Sequence, residues 1–130
     1  MAVITITEQN FVANTSAGIV LLDFWAAWCG PCRGFAPVFE AAALRHPDVT
    51  FGKVDVDAQP GLSQAFQISS IPTLLIMRDG VLLAAQPGAM PASKMDALVA
   101  KVRGLDMAEV LRNVKPELAV AHPGAAAGGR

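Results

Sequence analysis

One run of residues constrains this fold more than anything else in the chain. Ile19-Val20-Leu21-Leu22-Asp23-Phe24-Trp25 is apolar throughout except for a single charge. A strand with one wet face would alternate, so this run reads as a central strand buried on both faces. Such a strand needs neighbours on both sides and a covering layer above and below. The 130 residues are enough for one domain of that kind. Hydrophobic residues at 53% and charged residues at 16% exclude a disordered chain.

The rest of the chain supplies the neighbours and the layers. Val3 to Ile6 is a short β-branched run, and Thr7-Glu8-Gln9-Asn10 opens a helical pattern with Phe11 and Val12 on its apolar side. After Cys29-Gly30-Pro31 the pattern is helical to Arg45, with Phe35, Val38, Phe39 and Ala42 at helical spacing and a kink predicted at Pro37. Thr50 to Val56 reads as a third strand, and Pro60 to Phe66 as a short helix. Thr73 to Met77 is a fourth strand, joined through Asp79-Gly80 to a hairpin partner from Val81 to Ala85. Pro91 opens a helix with Met95, Leu98, Val99 and Val102 on one face, and Gly104 closes it. Crossovers first and a hairpin last predict an α/β fold: a central mixed β-sheet flanked by helices on both faces.

Residues 104–130 differ from this domain of residues 1–103. Asp106 and Glu109 fit a capping box. Met107, Val110, Leu111 and Val114 form an apolar stripe, so a short amphipathic helix is predicted over about 106–114. Left in water the stripe would be a liability, and it is expected to dock on its own domain, a neighbouring molecule or partner being the alternative. Beyond Pro116 the Ala, Gly and Pro content predicts a flexible tail.

Charge narrows the function classes. Ten basic residues against eleven acidic ones give a net charge of −1, with no basic footprint for nucleic acid and no polybasic membrane anchor. Mean hydropathy is high at +0.43, but the stretch from Ala17 to Trp28 is too short to cross a bilayer. The start of the chain lacks the basic region of a secretion signal, which points to the cytoplasm.

The chemistry centres on Trp28-Cys29-Gly30-Pro31-Cys32, where the buried strand hands over to a helix. Residues three apart on a first helical turn share a face, so the two sulfurs can meet. Cys29 at the helix N-terminus gains from unpaired N–H groups and the macrodipole, which favour its thiolate. An exposed Cys29 and a shielded Cys32 would suit thiol–disulfide exchange. Zinc wants four ligands, and the only histidines, His46 and His122, lack ligand spacing, so no metal is expected. Asp23, the lone charge in the central strand, should be buried with a raised pKa. It would then suit accepting the proton of Cys32, against the alternative of a structural carboxylate held by backbone hydrogen bonds. Lys53 in the next strand is either its charge partner or a solvated lysine.

These residues resemble the thioredoxin family. Asp23-Phe24-Trp25-Ala26-Ala27-Trp28-Cys29-Gly30-Pro31-Cys32-Arg33 matches the family's active-site stretch, and the likeness spans roughly residues 2–103. Pro37, Lys53-Val54-Asp55-Val56-Asp57, Ile71-Pro72-Thr73, Asp79-Gly80 and Gly88 are further landmarks. The resemblance implies the thioredoxin fold and reduction of protein disulfides, with no bound cofactor and electrons from NADPH through thioredoxin reductase. It assigns Cys29 as nucleophile and Cys32 as resolving cysteine of a redox disulfide, with Gly30 and Pro31 between them. Pro72 resembles the family's cis-proline. Trp28, Val56, Ile71, Pro72, Gly88 and Ala89 match the substrate-binding rim. Implied partners are the reductase and disulfide-bearing proteins such as peroxiredoxins, methionine sulfoxide reductases and ribonucleotide reductase, met by a monomer. The alternatives are an oxidase or isomerase of the same fold, or a binding or holdase module using the apolar rim. Gly34, Pro87 and Ser69-Ser70 depart from the family pattern.

Overall fold

The computed structural model describes residues 2–113. Ten elements follow in order: β1 (Val3–Thr5), α1 (Phe11–Thr15), β2 (Ile19–Trp25), α2 (Gly30–Arg45), β3 (Thr50–Asp55), α3 (Pro60–Ala65), β4 (Thr73–Arg78), β5 (Val81–Pro87), α4 (Ala92–Arg103) and α5 (Met107–Asn113). The sheet order is β1-β3-β2-β4-β5. β1, β3 and β2 run parallel, while β2–β4 and β4–β5 are antiparallel. β2 is therefore central, as its unbroken apolar run requires.

Alternation along the strands divides the core in two. Leu21, Leu74, Ile76 and Phe51 face α2 and α4, meeting Phe35, Phe39, Met95 and Val99. Val20, Leu22, Leu75 and Met77 point the other way, toward Phe11 of α1 and Leu62 of α3. Helices thus cover both faces. Pro37 lies inside α2. Being without an N–H, it removes one bond of the helical ladder.

Turn chemistry fixes the antiparallel half. Asp79 and Gly80 both have positive φ, at 53° and 80°, the conformation a tight two-residue hairpin demands. The hairpin is longer than expected from sequence, with β5 running on to Pro87. Pro87 is tolerated because β5 is an edge strand that need not donate every N–H.

The extension departs further from expectation. α5 forms, and Asp106 Oδ1 accepts from the N–H groups of Ala108 and Glu109 at 3.0 and 3.3 Å. However, none of its residues is buried, and Leu111 is 53% exposed. The expected docking is thus only partial: Met107 and Val110 are half-covered and Leu111 is not. A two-turn helix is too short to turn its whole stripe onto one neighbour. Val114 and the predicted flexible tail lie outside the described residues.

Candidate active site

The site forms where β2 ends and α2 begins. Cys29 is the N-cap of α2, with extended backbone, and its Sγ accepts the N–H of Cys32 at 3.2 Å. This is the place where unpaired helix N–H groups favour negative charge on sulfur. Cys29 and Cys32 are joined as a disulfide, with their Cα atoms 5.2 Å apart.

Shielding differs less between the sulfurs than the sequence led us to expect. Cys32 is 1% exposed, but Cys29 is only 5% exposed. The correction has a physical cause: Ile71 and Val56 pack against the pair, as do Ala26 and Trp25. Cys29 Sγ lies 3.8 Å from the Ile71 carbonyl oxygen. The Ile71–Pro72 peptide bond is cis. The proline carbonyl accepts from the Gly88 N–H at 2.8 Å, tying this loop to the end of β5. Gly88 has φ +92°, a conformation that glycine alone adopts without strain.

Around the sulfurs runs a partly apolar rim. Gly30, Pro31, Gly88 and Ala89 are exposed, Val56 and Ile71 are half-buried, and Pro72 is buried behind them. Trp28 is 68% exposed, so it is a surface residue and not core. Its indole Nε1 donates to Asp57 Oδ2 at 2.8 Å, which fixes the ring plane. Arg33 Nη1 donates to the Ala27 carbonyl at 2.9 Å and braces the loop between Trp28 and β2. Neither Asp57 nor Arg33 had a role in the sequence reading. Both act across loops, and no periodicity reports such contacts.

Asp23 sits on the sheet face that α2 covers, next in register to Lys53 of β3 and Leu74 of β4. It is fully buried, and neither carboxylate oxygen has a hydrogen-bond partner among the described residues. No backbone N–H among the described residues donates to it. Burial pushes its pKa from 3.8 up to about 6, and the Lys53 charge draws it part of the way back. Lys53 makes no contact ion pair with it: Nζ lies 4.5 Å over the Trp25 ring instead. Among the described residues no three His, Cys, Asp or Glu side chains converge as a metal site would need.

The comparisons with known proteins agree with this geometry. The sequence model of the thioredoxin family matches residues 2–101. A Streptomyces coelicolor protein provisionally named thioredoxin 2 is 50% identical over 119 residues, covering 91% of this chain and 89% of that one. The thioredoxin of Bacillus subtilis is 41% identical over 102 residues, or 78% of this chain and 98% of its own. Among solved structures, the thioredoxin of Malassezia sympodialis is similar with a TM-score of 0.68 and 35% identity, covering 76% of this chain and 89% of that one. With the family's pattern running from the first strand through α4 and a bacterial thioredoxin matched almost end to end, the chain belongs to the thioredoxin family.

Proposed function

We propose that Cys29 is the attacking thiol and Cys32 the resolving one in a general protein-disulfide reductase of the cytoplasm. The carrying observation is the Cys29–Cys32 disulfide at the start of α2, beside the carbonyl of a cis-peptide at Ile71. In the reduced protein, the Cys29 thiolate attacks one sulfur of a substrate disulfide. A mixed disulfide forms and the first substrate thiolate leaves. Cys32 then loses its proton and attacks Cys29 Sγ, so the second substrate thiolate leaves and the intramolecular disulfide closes.

Asp23 is the acceptor for the Cys32 proton, through water. A carboxyl with a pKa near 6 is largely ionised at neutral pH, yet basic enough to hold a proton briefly. Lys53 tunes that basicity by its charge from a distance. Trp28, Gly30, Pro31, Val56, Ile71, Pro72, Gly88 and Ala89 receive the substrate chain. Electrons come from NADPH through thioredoxin reductase. Peroxiredoxins, methionine sulfoxide reductases and ribonucleotide reductase are the substrate classes to try first, and the protein works as a monomer without a bound cofactor. The supporting physical point is accessibility: a nearly enclosed pair can be reached only along its rim, which suits an extended peptide better than a small thiol.

NADPH-coupled reduction of insulin with a thioredoxin reductase tests this reading. Turnover that needs the reductase and rises with protein concentration is expected. Absence of turnover, with suppression of aggregation of an unfolded client instead, would favour the holdase alternative.

A further inference from the structure

Just past the redox rim, a groove of about 200 Å³ runs between the end of β5 and α4. Gln86 of β5 and Met90 line it on one side, and Lys94, Ala97, Leu98 and Lys101 of α4 on the other. Those four helix positions are three and four apart, so they share one face. Met90 is buried and Leu98 half-buried, which makes the middle of the groove apolar. Lys94 and Lys101 stand exposed toward its two ends. Among the described residues no acidic side chain lines the groove. Asp96, the one acid of α4, is engaged elsewhere, with Arg45 and His46 at 2.9 and 2.8 Å. Neither Lys94 nor Lys101 has an ion-pair partner among the described residues. In a chain of net charge −1, this is unpaired positive charge gathered around apolar surface.

We propose that this groove docks an acidic segment of the disulfide-bearing partner, in which two carboxylates flank an apolar side chain. Under the reductase reading above, on which the docking rests, Gly88 and Ala89 receive the substrate chain. Ala89 directly precedes Met90, so a chain leaving the rim meets the groove next. Spacing sets the pattern of the segment. Lys94 and Lys101 are seven residues apart on a helix, about 10 Å along its axis. In an extended chain, carboxylates four residues apart span about 13 Å and share a face with the residue midway between them. The lysine stems are long enough to take up the difference. The middle residue then meets Met90 and Leu98 beside Ala97, whose single methyl leaves room. Charge selects the partner: carboxylates are drawn to the groove and lysines are repelled from it.

Single-turnover reduction by the pre-reduced full-length chain tests this without a reductase. Three peptide disulfides are compared: a neutral core, the core joined through a flexible Gly/Ser spacer to Glu-Ala-Leu-Ala-Glu, and the same with Lys-Ala-Leu-Ala-Lys. The acidic peptide should be reduced about fivefold faster than the core at low salt, and the basic one no faster. The advantage should fade in about 1 M salt, which screens exposed charges. In the double variant Lys94→Gln with Lys101→Gln the acidic-to-core rate ratio should lose its excess, and the ratio cancels any general change in reactivity. A reducible core with no advantage for the acidic peptide, or an advantage that survives in the double variant, overturns the docking alone. Failure to reduce even the core overturns the reductase reading and the docking role with it. A dimer in sedimentation that the double variant dissolves would make a second copy the occupant, which overturns the docking of a partner as well.

Discussion

β4 starts beside the cysteine pair at Thr73 and finishes at Arg78 across the sheet, and the polar groups near its two ends are handled in opposite ways. Near its start, the Asp23 carboxylate is buried with no partner on either oxygen. At its finish, the Arg78 guanidinium donates to the carbonyls of Val102, Leu105 and Arg103 at 2.8, 3.2 and 3.5 Å. It also lies 3.8 Å from the Asp79 carboxylate. These carbonyls belong to the last turn of α4 and the residues after it, where the helical ladder has run out, and that of Val102 also accepts the Leu105 N–H at 3.3 Å. Asp79 Oδ1 in turn accepts from the Gly18 N–H at 2.9 Å, and the Gly18 carbonyl accepts from the Asp79 N–H at 3.0 Å. The far end satisfies its polar groups and gains stability. The site end keeps a carboxylate buried with no partner among the described residues, and that burial raises its basicity. Substitutions should accordingly divide by location: those at the site end cost activity or raise stability, and those at the far end cost stability alone.

The largest effect is expected at the sulfurs. Cys29→Ser removes the attacking thiolate and should abolish insulin reduction without leaving a mixed disulfide. Cys32→Ser should keep the attack and lose the resolution, so mixed disulfides accumulate and can be counted on a non-reducing gel. Equal trapping by both variants would break the division of roles.

Next comes Asp23→Asn, which removes an ionisation that burial disfavours. The folded state holds this proton more tightly than the unfolded chain does, because the pKa is raised from 3.8 to about 6. The contribution of Asp23 to stability is therefore most favourable below about pH 3.8, falls as pH climbs to 6, and levels off above that. The shift corresponds to about 3 kcal/mol at neutral pH, the most that the Asn variant can gain. A buried, unpaired amide holds the gain below that figure. Denaturant melts at pH 3.5 and pH 7 should show the variant gaining at neutral pH only. Single-turnover reduction should slow at the resolving step. Equal stability at both pH values with unchanged kinetics would break the comparison at its site end.

Much of this was legible in the residues themselves, and the exceptions share one cause. The lone charge in an apolar run announces the burial of Asp23, and Asp79-Gly80 announces a turn with two positive φ angles. Pro72 declares its cis bond only through the family likeness, since proline spacing alone does not distinguish the isomers. Lys53 takes its place beside Asp23 in register, yet its ammonium leans on the Trp25 ring, a choice made by side-chain packing and invisible to strand order. Arg78 is silent in the sequence because its acceptors lie 24 to 27 residues further on. Glu8 is silent likewise: its carboxylate accepts the Gly61 N–H at 2.7 Å at the start of α3, from 53 residues away. Local pattern reports what a residue wants, and only the fold reports who satisfies it.

Arg78→Met is the matching test of the far end. It keeps the packing of the side-chain stem and removes the guanidinium donors, leaving the Val102 carbonyl to the Leu105 N–H. A loss of about 2 kcal/mol is expected from hydrogen bonds with a charged donor. Insulin turnover should remain within about twofold, because at the site end none of the donors or acceptors changes. A turnover loss out of proportion to the stability loss would show that the two ends are coupled.

The smallest expected effect returns to the site end, at Gly34. This glycine sits in the second turn of α2, two residues after Cys32, and is exposed. A Cβ built there meets nothing within 4 Å, and its φ is not in the left-handed region. Neither space nor backbone conformation therefore requires glycine. Its effect is to loosen the helix that presents the cysteines, by about 1 kcal/mol relative to alanine. Gly34→Ala should raise the unfolding free energy by that amount, seen as a higher denaturant midpoint with no change in slope. It leaves Cys29, Cys32 and Asp23 chemically intact, so any change in turnover has to come from the stiffness of the first two helical turns. Stability up and turnover unchanged would mean that the site end tolerates a rigid helix and that its unsatisfied carboxylate alone sets its reactivity. Stability up and turnover down would assign part of the chemistry to movement of the Cys29–Cys32 turn, and would sharpen the contrast with the pinned end at Arg78.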